Sequence, residues 1–143
     1  MTPQVMAQIH ARSMTVPKPW SARTMQDFMR APGTILVSRP AANGQLGGFA
    51  LGRIVVDEGE LLTLAVDPGT QGNGLGRDCL AGFLDACQSA GAARVFLEVA
   101  ATNRIARNLY TSAGFTEDGV RKGYYQLPNE TPVDAILMTR SVE

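Results

Sequence analysis

Apolar positions recur along the chain in two periods that alternate in blocks, and the blocks define the elements. Val5, Met6 and Ile9 have the spacing of a short helix over Gln4–Ser13. Ser21 is placed to cap a second helix over Ala22–Arg30, which Pro32-Gly33 ends. Three β-type segments follow at Thr34–Ser38, Gly48–Val56 and Leu61–Val66. Short turns at Ala41–Gln45 and Asp57–Glu60 join them, which predicts an antiparallel meander. Leu75, Cys79, Leu80, Phe83, Leu84 and Cys87 then mark a strongly amphipathic helix that closes near Gly91. Arg94–Val99 is a further strand, and the strand–helix–strand unit so formed is long enough for a parallel crossover. A helix beginning at Thr102 or Asn103 carries Ile105, Ala106, Leu109, Tyr110 and Ala113 up to Gly114. Strands at Phe115–Val120 and Val133–Thr139 complete the pattern, with Lys122–Glu130 between them expected as a long polar loop. The prediction is one α+β domain over residues 1–143, built on a mixed, largely antiparallel sheet flanked by helices.

Composition narrows the setting. Thirteen basic and thirteen acidic residues cancel, so no electrostatic footprint for nucleic acid is expected. No apolar run approaches the ~20 residues of a membrane span. The first residues lack the basic and apolar regions of a signal peptide, and a cytoplasmic location is expected. Cys79 and Cys87 lie on one predicted helix, about 12 Å apart along its axis, too far for a disulfide. Free buried thiols are expected, and no metal site. The only histidine, His10, is expected as a surface or packing residue without chemistry. Trp20 is either a loop anchor on the core or a wall of a substrate groove.

The stretch Leu61–Arg77 carries the chemical signal. It runs from an apolar strand through Asp67-Pro68-Gly69 into Gln71-Gly72-Asn73-Gly74-Leu75-Gly76, immediately before the amphipathic helix. Small residues there let backbone N–H groups approach an anion, and the helix dipole favours its charge. No Walker lysine is present, and the third glycine of a dinucleotide fingerprint falls on Arg77. On spacing alone, this is either a phosphate cradle or a tight strand-to-helix turn. Glu98, in an otherwise apolar strand, is a rim residue, an arginine partner or a catalytic group. Tyr110 lies two helical turns after Asn103, on the same face, and is a core residue or a proton donor.

The pattern Val-Asp-Pro-x-x-Gln-x-x-Gly-x-Gly, followed by Phe96–Val99, Asn103, Ala106–Tyr110, Gly114-Phe115, Arg121–Tyr125 and Asp134–Met138, resembles the GNAT N-acetyltransferases. Within them it resembles the RimI-type N-terminal acetyltransferases, a likeness that Pro19-Trp20-Ser21 extends. The resemblance implies the GNAT fold and acetyl-CoA as co-substrate. By the same resemblance, Leu64, Ala65 and Val66 supply backbone donors to the thioester. Gly72, Asn73, Gly74, Leu75, Gly76 and Arg77 hold the pyrophosphate, and Asn103 reaches the cofactor arm. Glu98 is implied as proton acceptor and Tyr110 as the acid that protonates the leaving thiolate. The implied acceptor is a protein N-terminus, by family likeness a ribosomal protein's; a small amine, a lysine side chain, or no acceptor at all in a mere acyl-CoA-binding module are the alternatives.

Amine acidity bears on this choice. At neutral pH an α-amine is uncharged roughly one time in ten, and a lysine amine less than about one time in a thousand. A single carboxylate base therefore suits the α-amine better. The chain departs from RimI-type patterns at Ala100, where Arg is common, and at Gly123, where Asn often stands before the paired tyrosines. It also starts almost at the first helix, where many relatives have an additional strand.

Overall fold

The computed structural model describes residues 2–13, 19–70, 74–126 and 130–143. Two helices, α1 (Pro3–Ser13) and α2 (Ala22–Arg30), precede three strands, β1 (Thr34–Pro40), β2 (Leu46–Val55) and β3 (Glu58–Val66). A single 3-10 turn at Pro68–Thr70 leads toward α3 (Leu75–Ser89). The chain continues through β4 (Arg94–Ala100), α4 (Arg104–Ser112), β5 (Thr116–Tyr125) and β6 (Val133–Ser141). The six strands form one sheet in the order β1-β2-β3-β4-β6-β5. Only the β3–β4 pair is parallel, as a crossover through α3 requires.

The helices divide between the two faces. Cys79, Leu80, Phe83, Leu84 and Cys87 of α3 pack with Leu61, Val95, Leu97, Val99, Tyr110 and Phe115, so α3 and α4 cover one face. Met6 and Ile9 of α1 and Met25 of α2 pack with Phe49, Leu51 and Ala65 on the other. Both cysteines are free and buried in the α3 face, as their spacing predicted. The Ser21 hydroxyl accepts the Thr24 N–H at 3.1 Å and caps α2, while Asn103 caps α4.

One expectation changes and two resolve between their alternatives. The loop expected over Lys122–Glu130 is strand as far as Tyr125, with Leu127–Asn129 outside the described residues. Its polar residues lie on an exposed edge strand, and the register irregularity between Arg121 and Tyr125 absorbs Gly123. That glycine has φ +61° and donates its N–H to Asp134 Oδ1 at 2.8 Å. Trp20 proves to be an anchor: its indole stacks on Phe28 at 4.7 Å and packs on the α1–α2 core. His10, one position after Ile9 and four after Met6, is completely buried on the apolar face of α1.

Candidate active site

The site begins with a defect in β3. Leu51 of β2 pairs with Thr63 and the next residue, Gly52, pairs with Leu61, which leaves Leu62 as an extra, bulged residue. Before the bulge, Gly59 and Leu61 face α3; after it, Thr63 and Ala65 face α1 and α2, while Leu64 and Val66 face α3. The bulge also adds twist. Pairing of β3 with β4 covers only Glu58–Leu61 against Arg94–Leu97, and the two strands then part.

The phase of the ladder decides which backbone groups border this gap. Asp67 donates its N–H to the Gly47 carbonyl at 2.7 Å, so Asp67 and Gly47 form a hydrogen-bonded pair. Alternation then places the Ala65 and Thr63 groups toward β2 and turns the N–H groups of Leu64 and Val66 toward the gap. Of the three residues expected to supply backbone donors, two present them.

Around the gap lies a cleft of about 790 Å³. Its walls include Leu64, Ala65, Val66, Gly74, Leu75, Gly76, Arg77, Glu98, Asn103 and Tyr110. Every described residue that the resemblance assigns to acetyl-CoA binding or catalysis is therefore on one cleft; Gly72 and Asn73 lie outside the described residues. Gly74 is the N-cap of α3 with φ +77°, and a side chain there would meet no protein atom within 4 Å. Its open face and the first N–H groups of α3 make a seat for an anion. Arg77 in the first helical turn forms no ion pair among the described residues. Asn103 has its Oδ1 occupied by the Ala106 N–H at 3.1 Å, which leaves the amide NH₂ for the cleft.

Glu98 and Tyr110 reach the cleft from opposite sides of the sheet. Val95, Leu97 and Val99 are buried toward α3 and α4, so Glu98 alternates to the other face. Tyr110 belongs to the α3–α4 face and is only 6% exposed. The two can serve one reaction because the strands part between them. Burial pushes the Tyr110 phenol well above its ordinary range, with a smaller contribution from nearby Tyr125, so it stays protonated. Its ring meets Phe115 edge-on at 5.9 Å.

Two further residues stand beside them. Tyr125 lines the cleft, and burial, then the charge of Glu98, push its phenol up to about 12. Arg121 reaches across β6 and places Nε 3.4 Å from Glu98 Oε1, with its guanidinium 5.3 Å from the Tyr124 ring centre. The paired tyrosines were visible in the sequence, but a loop assignment hid their place on a strand. No local signal marks Arg121, whose partner stands two strands away.

Parted parallel strands over a glycine-capped helix, with a carboxylate and a buried phenol on the same cleft, define an acyl-transfer site. Residues 4–115 match the acetyltransferase (GNAT) family, and the chain belongs to that family. GNAT acetyltransferases use acetyl-CoA. The chain is 36% identical over 138 residues to the [ribosomal protein bS18]-alanine N-acetyltransferase of Escherichia coli K12, covering 96% of this chain and 90% of that one. It is 34% identical to the N-alpha-acetyltransferase RimI of Mycobacterium tuberculosis, over 94% and 83% of the two chains. The crystal structure of the Escherichia coli ribosomal-protein-S18-alanine N-acetyltransferase superposes with a TM-score of 0.85 at 34% identity, over 96% of this chain and 85% of that one.

Proposed function

We propose that residues 1–143 act as one cytoplasmic N-terminal acetyltransferase domain that modifies the α-amine of a protein, with an N-terminal alanine of a ribosomal protein as the first candidate acceptor. The observation that carries this reading is the convergence of Glu98, Tyr110 and the Leu64–Val66 edge on one cleft. Similarity to the Escherichia coli and mycobacterial enzymes supports the choice of acceptor.

The residues present fit acetyl-CoA. The open Gly74 cap, the α3 N-terminus and Arg77 suit a pyrophosphate, and the Asn103 amide suits the pantetheine arm. When bound, acetyl-CoA supplies the acetyl thioester. The Leu64 and Val66 N–H groups are oriented to donate to the carbonyl oxygen as it gains charge, an arrangement worth a few kcal/mol in the transition state. Glu98, paired with Arg121, takes the proton that the attacking amine must lose. Tyr110 holds the proton for the departing sulfur. Burial raises its pKa, which by itself weakens a proton donor. A thiolate leaving into the same cleft is also desolvated, however. Burial acts in the same direction on the thiols of Cys79 and Cys87 in the adjoining core, which rise to about 11. The pKa values of donor and acceptor therefore rise together.

The test is steady-state acetylation of an alanine-initiated peptide by wild type, Glu98→Gln and Tyr110→Phe. Each substitution should lower kcat by roughly 10²–10⁴-fold, the usual contribution of a positioned acid or base. Full kcat in both variants would remove these roles.

A further inference from the structure

A completely buried imidazole stands outside the machinery described so far. His10 of α1 makes two hydrogen bonds to different parts of the chain. The Trp20 backbone N–H, in the connection between α1 and α2, donates to Nδ1 at 3.1 Å. That bond makes Nδ1 the acceptor, so Nε2 carries the hydrogen and donates to Thr63 Oγ1 at 2.7 Å. The ring is fixed in place by Phe49, stacked at 5.6 Å, and by Trp20, edge-on at 5.2 Å.

Of the two partners, Thr63 is the one on the cleft. Thr63 directly follows the bulged Leu62 and precedes Leu64, whose N–H faces the gap, and it lines the cleft itself. Ser13, the last residue of α1, also lines the cleft. A second polar link runs parallel to the first: Arg12 Nη2 lies 2.6 Å from Asp67 Oδ2 at the end of β3. Its partly exposed geometry makes it the weaker of the two. Ordinary core packing needs neither link. Methionine or isoleucine would fill the His10 site without the desolvation that a buried imidazole entails.

We propose that His10 is a positioning residue of the transfer reaction: acting through Thr63, it clamps the C-terminal end of α1 to the splayed end of β3 and sets the width of the cleft on the face that carries Glu98, where the acceptor must enter. The inference rests on the N-terminal acetyltransferase reading for its acceptor. It commits to a division of labour in which the clamp serves the acceptor, while the α3 N-terminus holds acetyl-CoA independently.

The test uses Thr63→Val, which keeps the volume and removes the hydroxyl, and Thr63→Ser, which keeps the hydroxyl. Kinetics are read well below each variant's Tm, with the folded fraction checked by circular dichroism. Thr63→Val should raise the KM of an alanine-initiated peptide by roughly fivefold to tenfold, the consequence of one lost buried hydrogen bond. The Kd of acetyl-CoA should stay within about twofold, and Thr63→Ser should restore the peptide KM. His10→Gln should resemble Thr63→Val and carries the same comparison if Thr63→Val does not fold. Their double variant should be no worse than either single one. Peptide KM at the wild-type value in Thr63→Val or His10→Gln, or an equal loss of acetyl-CoA affinity, would overturn the proposal. Lack of turnover of any N-terminal peptide by wild type would instead overturn the acceptor reading, and the clamp's role with it.

Discussion

Acid should weaken this fold through a single side chain, in a pH window of its own. His10 is the only histidine, and burial lowers its pKa from 6.5 to about 4. Above pH 6.5 the imidazole is neutral in both folded and unfolded chains and has no effect on the balance. Between 6.5 and 4 the unfolded chain binds a proton that the folded chain refuses, so stability falls as pH falls. Below about 4 both states are protonated and the loss is complete. Two and a half pH units at about 1.36 kcal/mol each give a loss of about 3 kcal/mol. That is a large part of the 5–15 kcal/mol typical of a folded domain. Structure explains why the proton is refused. Nδ1 already accepts the Trp20 N–H, and protonation would set two N–H groups against each other inside an apolar cluster. Urea unfolding at pH 7, 5.5 and 4 measures the effect. Wild-type stability should be flat above 6.5 and decline through the window, and His10→Gln should flatten that decline. Asp67 acts lower on the scale. The Gly69 N–H, and then Arg12, hold its carboxyl below the usual value, so its contribution disappears only as pH falls below about 4. A decline between 6.5 and 4 that persists undiminished in His10→Gln would refute the reasoning.

Three substitutions probe the backbone geometry. Gly74→Ala places a methyl at φ +77° in the open anion seat, so acetyl-CoA KM should rise severalfold and stability should fall by about 1–2 kcal/mol, read by enzyme kinetics and urea unfolding. At Gly52, opposite the bulge, a methyl would overlap the Phe83 ring and the Glu60 carbonyl, so Gly52→Ala should cost about 1–3 kcal/mol in the same unfolding assay. Val56 sits in the β2–β3 turn at φ +59° and 90% exposed, a strained position for a β-branched residue. Val56→Gly should raise Tm, because about 1–2 kcal/mol of strain is relieved against a smaller entropic penalty.

Much of the site was legible before any coordinates because its parts use local rules. The α3 stripe has helical period, Ser21 and Asn103 have the chemistry of N-caps, and the glycines before α3 announce a close backbone approach. What escaped was non-local. Leu61-Leu62 is an unbroken apolar pair, and nothing in it marks Leu62 as the bulge that turns Leu64 and Val66 toward the gap. Lys122–Tyr125 is polar and contains glycine, yet it forms strand because β6 supplies a partner and the outer edge can stay wet. His10 could be read from its helix only as a surface or packing residue. Its two partners, ten and fifty-three residues away, could be found only in three dimensions.

On the proposed reading, the parted β3 and β4 strands deliver an acetyl group to the α-amine of a protein. The most direct measurement offers wild-type enzyme and acetyl-CoA two peptides of one sequence, each with an N-terminal alanine and one internal lysine, one free and one blocked at the α-amine. Mass spectrometry then locates the added acetyl group. A single acetyl is expected on the alanine α-amine of the free peptide, with no turnover of the blocked one. Equal turnover of both, with acetyl on lysine, would contradict it.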